Sequence, residues 1–154
     1  MRPMLRKDRE MNREFAEAVI DKCRFFVMAT VSQGEEPYCV PISMVREGEW
    51  LYFHSAMEGH KIENLKANNH VCISCVGDTG IPPGKFTMEY ESAIVFGKAE
   101  ELKSVEEKIQ ALRLISQRYT PDNMAAFDIA IKRDINRTAV WRIHIDEISG
   151  KKNG

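Results

Sequence analysis

The sequence predicts a mainly β domain with flanking α-helices, its strands pairing antiparallel into a small six-stranded barrel. Short apolar or alternating stretches follow one another with turn residues between them. Strand and helix patterns do not alternate, as a parallel sheet would require. The helical stretches are confined to the start, one short central segment and one block before the last strand.

At 154 residues, with 44% hydrophobic and 29% charged side chains, the chain is of single-domain size and can bury a core. A net charge of −1 leaves no basic surplus to track nucleic acid. Arg2, Arg6, Lys7, Arg9 and Arg13 are interrupted by Asp8 and Glu10 and read as a solvated helix face. No apolar run reaches membrane length, and Met1-Arg2-Pro3 leads into charge. The expectation is a cytoplasmic protein with neither a membrane nor a nucleic-acid partner. Residues 1–150 read as one domain and 151–154 as a disordered tail.

The first helix is expected from about Asp8 to Lys22, with Phe15, Ala18, Val19 and Cys23 as its apolar stripe. Residues 25–32 and 37–46 form a hairpin around Gln33-Gly34-Glu35-Glu36, and Glu47-Gly48-Glu49 turns into a third strand at Trp50, making a meander. Pro41 removes a ladder donor, which places its strand at an edge or marks a bulge. A strand from His70 to Val76 leads into the loop Gly77–Gly84, and a long strand from Phe86 to Ala99 bends at Gly97. Ser104 with Glu107 forms a capping box for a helix to Arg118, whose core face is Val105, Ile109, Leu112 and Ile115 or Ser116. A shorter helix restarts at Thr120-Pro121-Asp122 and runs through Ile131. In the last strand, 138–148, Trp141, Ile143 and Ile145 face the core, with Arg142, His144 and Asp146 opposite.

Residues 50–76 carry the chemistry. The Trp50 strand ends at His54-Ser55-Ala56, and a helix begins from about Glu58 through Gly59, His60 and Lys61. Free N–H groups and the positive end of the helix dipole suit an anion there, and Lys61 adds a mobile cation: a phosphate cradle without a P-loop. The same joint without a ligand is an ordinary strand-turn-helix. His54 stands beside this site, either as a functional group or with a structural hydrogen bond. Cys72 and Cys75 spell C-x-x-C within a strand, where they face opposite sides; no second pair completes a zinc site, so they read as structural thiols and no metal site is expected.

Ala29-Thr30-Val31, Pro37-Tyr38, Val40-Pro41-Ile42, the segment Leu51–Ala56 with Gly59-His60-Lys61, and Tyr90–Ala99 follow in an order that resembles the FMN-binding split-barrel superfamily of the pyridoxamine 5′-phosphate oxidases. Within it, the chain is most similar to the Nim-type 5-nitroimidazole resistance proteins. The resemblance implies a split barrel and a homodimer with flavin at the subunit interface. Val40, Pro41, Ile42 and Ser43 would line the isoalloxazine ring. Phe53, His54, Ser55, Ala56, Gly59, His60 and Lys61 would surround the ribityl phosphate or the ring edge. Glu91 and Ser92 would complete the site, often from the other subunit. Only Arg46 adds a basic group near the Val40 strand, so phosphate neutralisation rests on Lys61 and backbone donors.

The implied function is an FMN-dependent oxidoreductase that reduces a small electrophile, with a nitroimidazole as candidate and His54 as the catalytic side chain. FAD could replace FMN. The alternative is a flavin- or haem-binding carrier or sensor without turnover, with a histidine as axial ligand.

Overall fold

The computed structural model describes residues 1–154 and contains eight strands and four α-helices. In chain order these are β1 (Glu10–Met11), α1 (Arg13–Lys22), β2 (Phe26–Val31), β3 (Pro37–Ile42), β4 (Val45–Glu47), β5 (Trp50–Ser55), α2 (His60–Ala67), β6 (His70–Gly80), β7 (Glu89–Glu101), α3 (Val105–Tyr119), α4 (Phe127–Asp134) and β8 (Ala139–Asn153). The two strands beyond the expected six are short β1 and β4.

Every pairing is antiparallel, in the order β3-β2-β6-β7-β8-β5-β4, with β1 added to β8. The β2–β3 hairpin is as expected, but the meander is not. What read as one strand from Pro37 to Arg46 breaks at Ser43-Met44, and β3 and β4 lie at opposite ends of the sheet. The chain from Ile42 to Val45 can span at most roughly 11 Å. The two edges must therefore approach one another, and the sheet curls into a barrel left unpaired at the β3/β4 seam. Pro41 lies on the edge strand β3, where its missing donor costs no ladder bond on the open side.

Phe26, Met28 and Thr30 of β2 are buried while Val27, Ala29 and Val31 are not, the alternation of a barrel wall. The interior holds Phe26, Met28, Leu51, Phe53, Ile73, Val95, Trp141, Ile143 and Ile145. Helix α1 closes the Phe26 end with Ala16, Val19 and Ile20. Helix α2 closes the other with Ile62 and Leu65, docked by a buried 3.0 Å hydrogen bond from Asn64 Nδ2 to Thr30 Oγ1. A second core lies outside the barrel, where Leu102 and Val140 meet Ala111, Leu112 and Phe127 of α3 and α4. Val140 thus faces away from Trp141, Ile143 and Ile145, as the alternation predicts.

Several expectations are corrected. Helix α1 starts at Arg13, where Asn12 Oδ1 accepts from Phe15 N at 2.9 Å; residues 7–9 form a 3-10 turn and Ala18 is exposed. On α3, Ala111, Leu112 and Ile115 are buried and Val105 is half exposed, although Ser104 caps the helix as expected. Strand β6 continues through Gly77–Gly80 with a register irregularity between Val76 and Thr79, confining the loop to 81–88. Residues 151–153 are not a loose tail: Lys151 pairs with Glu10 and Ser92, and Asn153 with Tyr90. Gly97 does mark the bend of β7. The register against β8 shifts between Phe96 and Gly97, and a Cβ at Gly97 would lie 2.1 Å from the His144 carbonyl oxygen.

Candidate functional site

Strand β5 sets the orientation of its last residues. Leu51 and Phe53 point into the barrel, so Trp50, Tyr52 and His54 line its outer wall. Phe53 is fully buried, its ring parallel to Trp141 at 6.4 Å. Its side chain supports the wall, which leaves only its backbone facing the corner beside His54. His54 is exposed at the strand end. The protein packed around its imidazole, and secondarily the charge of Lys61, push its pKa below the ordinary histidine value.

The chain turns outward after His54. Ser55 Oγ donates to the Ala56 carbonyl at 2.8 Å, and Ala56 and Gly59 are exposed. Gly59 has φ 132° and ψ 175°, a backbone region open in practice to glycine alone, and no side chain caps α2. The first-turn N–H groups of α2 therefore point outward without a side-chain acceptor, next to the half-buried Lys61. Helix α2 begins at His60, slightly later than expected.

The edge strand β3 borders this corner. Tyr38 stacks on His60 with ring centroids 3.9 Å apart and planes at 26°. Val40 and Ile42, opposite Met28 and Phe26, turn inward and are half-buried against the core, whereas Pro41 and Ser43 are exposed. The Ser43-Met44 bridge is held by a 2.6 Å hydrogen bond from Tyr119 Oη to the Met44 carbonyl.

Glu91 and Ser92 lie elsewhere. Val140 pairs with His54 on β8, and on its other side its carbonyl accepts from Leu102 N at 2.8 Å, so Leu102 marks the level of His54 beside β7. Glu91 is eleven residues before Leu102, roughly 35 Å of extended strand away. There it forms an ion pair with Lys22, which holds its carboxyl pKa low, and accepts from Asp78 N at 3.2 Å. One chain thus gathers β3, the end of β5 and the start of α2 at one open corner, and leaves Glu91 and Ser92 outside it.

Two sizeable cavities lie elsewhere. One of about 480 Å³ includes Lys22, Cys23, Phe25, Val27 and Val76; another of about 440 Å³ includes Ala29, Cys72, Phe96 and Lys98. No group of three or more His, Cys, Asp or Glu side chains is arranged to hold a metal ion. Cys75 is buried and Cys72 half-buried. No helix is long and apolar enough to cross a membrane.

Two residues that shape the corner escape the motif reading: Tyr119 bonds a backbone carbonyl 75 positions away, and Asn64 reads as an ordinary helix residue. Tyr38 belongs to the Pro37-Tyr38 motif, but its stacking on His60 is visible only in the structure.

Residues 12–152 match the family model described as pyridoxamine 5'-phosphate oxidase. Among solved structures, the chain is similar to a candidate 5-nitroimidazole antibiotic resistance protein of Bacteroides thetaiotaomicron, at 30% identity and a TM-score of 0.79, over 93% of this chain and 86% of that one. An FAD- and haem-binding protein of Mycobacterium smegmatis superposes with a TM-score of 0.81 at 21% identity, over 94% and 73%. A haem storage protein of Vibrio cholerae gives 0.68 at 13% identity, over 91% and 94%; these two likenesses are of fold alone. Comparison with curated proteins finds no match. The family match spans both barrel edges and the β5–α2 corner: the chain belongs to the pyridoxamine 5'-phosphate oxidase family.

Proposed function

We propose that the chain is an FMN-dependent oxidoreductase that acts as a homodimer and reduces a small electrophile, with nitroimidazoles as the candidate substrate class. The observation that carries this reading is the uncapped start of α2 beside Lys61, joined to the apolar edge of β3 by the Tyr38–His60 stack. Family membership and the 30% identity to the Bacteroides protein support it.

The residues present fit FMN. Outward N–H groups and a lysine suit a phosphate, and no Cβ obstructs it at Gly59. Pro41, exposed on the open edge of β3 between the half-buried Val40 and Ile42, offers an apolar border for a flat ring. Bound flavin would supply the electron transfer itself. The protein's part is to hold the phosphate through Lys61 and the α2 N–H groups, and to orient the ring along β3. His54, neutral at pH 7, offers one ring nitrogen as donor and the other as acceptor to a substrate. Glu91 and Ser92 would join this half-site only from a second copy.

Absorption of the purified protein, followed by release and mass identification of any chromophore, tests the reading. Flavin bands with FMN released are expected, as is oxidation of a reduced nicotinamide when a nitroimidazole is supplied. Haem released instead, or failure to take up added FMN, overturns it. Bound FMN without turnover would leave a carrier or sensor in its place.

A further inference from the structure

The outer wall of the barrel is covered by its own chain on one side only. Helices α3 and α4 cover the β5–β8 side, where Val140 meets Leu112 and Phe127. On the β3-β2-β6-β7 side, the outward residues Val27, Ala29, Cys72, Ser74, Ile94 and Phe96 belong to neither core. No acidic or basic side chain interrupts them. Charge returns at the rim, with Lys98 and Glu147 beside Phe96 and with Lys22, Asp78 and Glu91 at the opposite end. The cavities of about 480 and 440 Å³ are hollows in this face, and Phe25, Val76 and Phe96 stand 57%, 52% and 41% exposed around them. A charge-free centre inside a charged rim is the make-up of a protein interface. The chain exposes 9560 Å², whereas a self-contained monomer of this length is expected to expose roughly 7,900 Å². The excess of about 1,600 Å² matches what each partner contributes to a large, obligate dimer interface.

We infer that this face is where a second copy of the chain docks, the β2–β6 wall of one packed on that of the other about a two-fold axis that crosses the strands. The inference rests on the homodimer reading above and not on the identity of the cofactor. Small side chains at Ala29 and Ser74 mark the centre and let the facing sheets approach to about 10 Å. An axis in this direction joins unlike ends. The Val76–Ser92 end of one copy meets the Val31–His70 end of the other, where Tyr38 and the start of α2 lie. Ser92 is thereby carried toward the corner that its own chain keeps remote. An axis along the strands would stack like ends and leave Ser92 far from it.

Sedimentation of the purified protein should give the mass of two chains. Ala29→Arg, which sets a charge at the centre of the face, should raise the dimer dissociation constant at least about a hundredfold. Ile129→Arg, at an equally apolar but isolated exposed position on α4, should leave it unchanged. The axis is read by cross-linking Val31→Cys with Val76→Cys in a Cys39→Ser, Cys72→Ser background. Within one chain these positions lie roughly 20 Å apart along the strands, so a bismaleimide spanning half that distance can join them only between copies. Covalent dimers linked from 31 to 76 are expected, and their absence overturns the proposal. A dimer that survives Ala29→Arg overturns the face but leaves the homodimer reading standing. A wild-type monomer at every concentration overturns both, whether or not FMN binds. A different protein held on the face overturns the second copy as its occupant. The cross-link decides alone if Ala29→Arg fails to fold.

Discussion

The hydroxyl of Tyr119, at the last residue of α3, donates to the carbonyl of Met44 at 2.6 Å. This contact fastens a surface helix to the two-residue bridge between the opposite edges of the sheet. Burial raises the Tyr119 pKa, so its hydroxyl remains a donor well beyond neutral pH. Tyr119→Phe should cost about 1–2 kcal/mol in denaturant unfolding, the loss of one hydrogen bond and of a carbonyl's partner. It should also weaken FMN binding, because Ser43 sits on the released bridge. Unchanged stability would show that the seam is held by packing alone.

Lys61→Ala should discriminate between the two parts of a flavin. FMN affinity is expected to fall by about tenfold or more, the scale of one charge-assisted contact, while riboflavin affinity should barely change. Fluorescence titration with both ligands measures the difference. Equal losses would move Lys61 from the phosphate to the ring.

His54 should give the protein an acid-side sensitivity. Its pKa in the folded state lies below the unfolded value, so the unfolded chain binds more protons as pH falls through that interval. Its neutral form is compatible with the fold above the unfolded pKa, and stability should decline as pH drops below about 6.5. An NMR titration of the His54 ring should find a depressed pKa that rises in Lys61→Ala. His54→Gln should flatten that part of the stability profile. A normal or raised pKa would contradict the geometry.

The buried Asn64–Thr30 pair sets how α2 sits on the barrel. Asn64→Ala should destabilise by about 1–3 kcal/mol, because it leaves the Thr30 hydroxyl unpaired and removes packing. Combining Thr30→Val with Asn64→Leu should recover part of that loss, since both polar groups then disappear together. A double-mutant cycle reads the coupling, and strict additivity would show that the pair is not one unit.

Local chemistry made most of the elements legible in sequence. The β2–β3 turn, the Ser104 cap, the Gly97 bend and the alternation of Trp141, Ile143 and Ile145 all rest on residues close in the chain. The break at Ser43-Met44 was not legible, because apolar residues continue across it and only the meeting of distant edges shows that two strands are present. The tail 151–153 looked loose because its lysines are matched by partners on β1 and β7 far away in sequence. The β5–α2 corner was readable from Gly59 and Lys61. The inward direction of the Phe53 side chain follows from the Leu51/Phe53 alternation, which the strand pattern of residues 50–55 contains. Asn12 was a capping signal overlooked beneath a charged stretch that resembles a helix.

Gly97→Ala should be among the most damaging single changes. The new Cβ would strike the His144 carbonyl, a backbone atom with no freedom to move without disturbing the bulge. A loss of about 3 kcal/mol or more is expected, or failure to accumulate folded protein. Thermal unfolding of the purified variant checks this, and near-normal stability would mean that β7 can bend elsewhere.

Strand β8 pairs with β5 on one side and β7 on the other, and it follows both in the chain. Until it joins, β3-β2-β6-β7 is one sheet and β4–β5 a separate hairpin, each with an open edge. A growing or truncated chain that lacks β8 would therefore display two sticky templates for foreign strands. Arrival of this one strand both completes the domain and removes its aggregation hazard, so expression yield should be more sensitive to residues 139–153 than burial alone suggests.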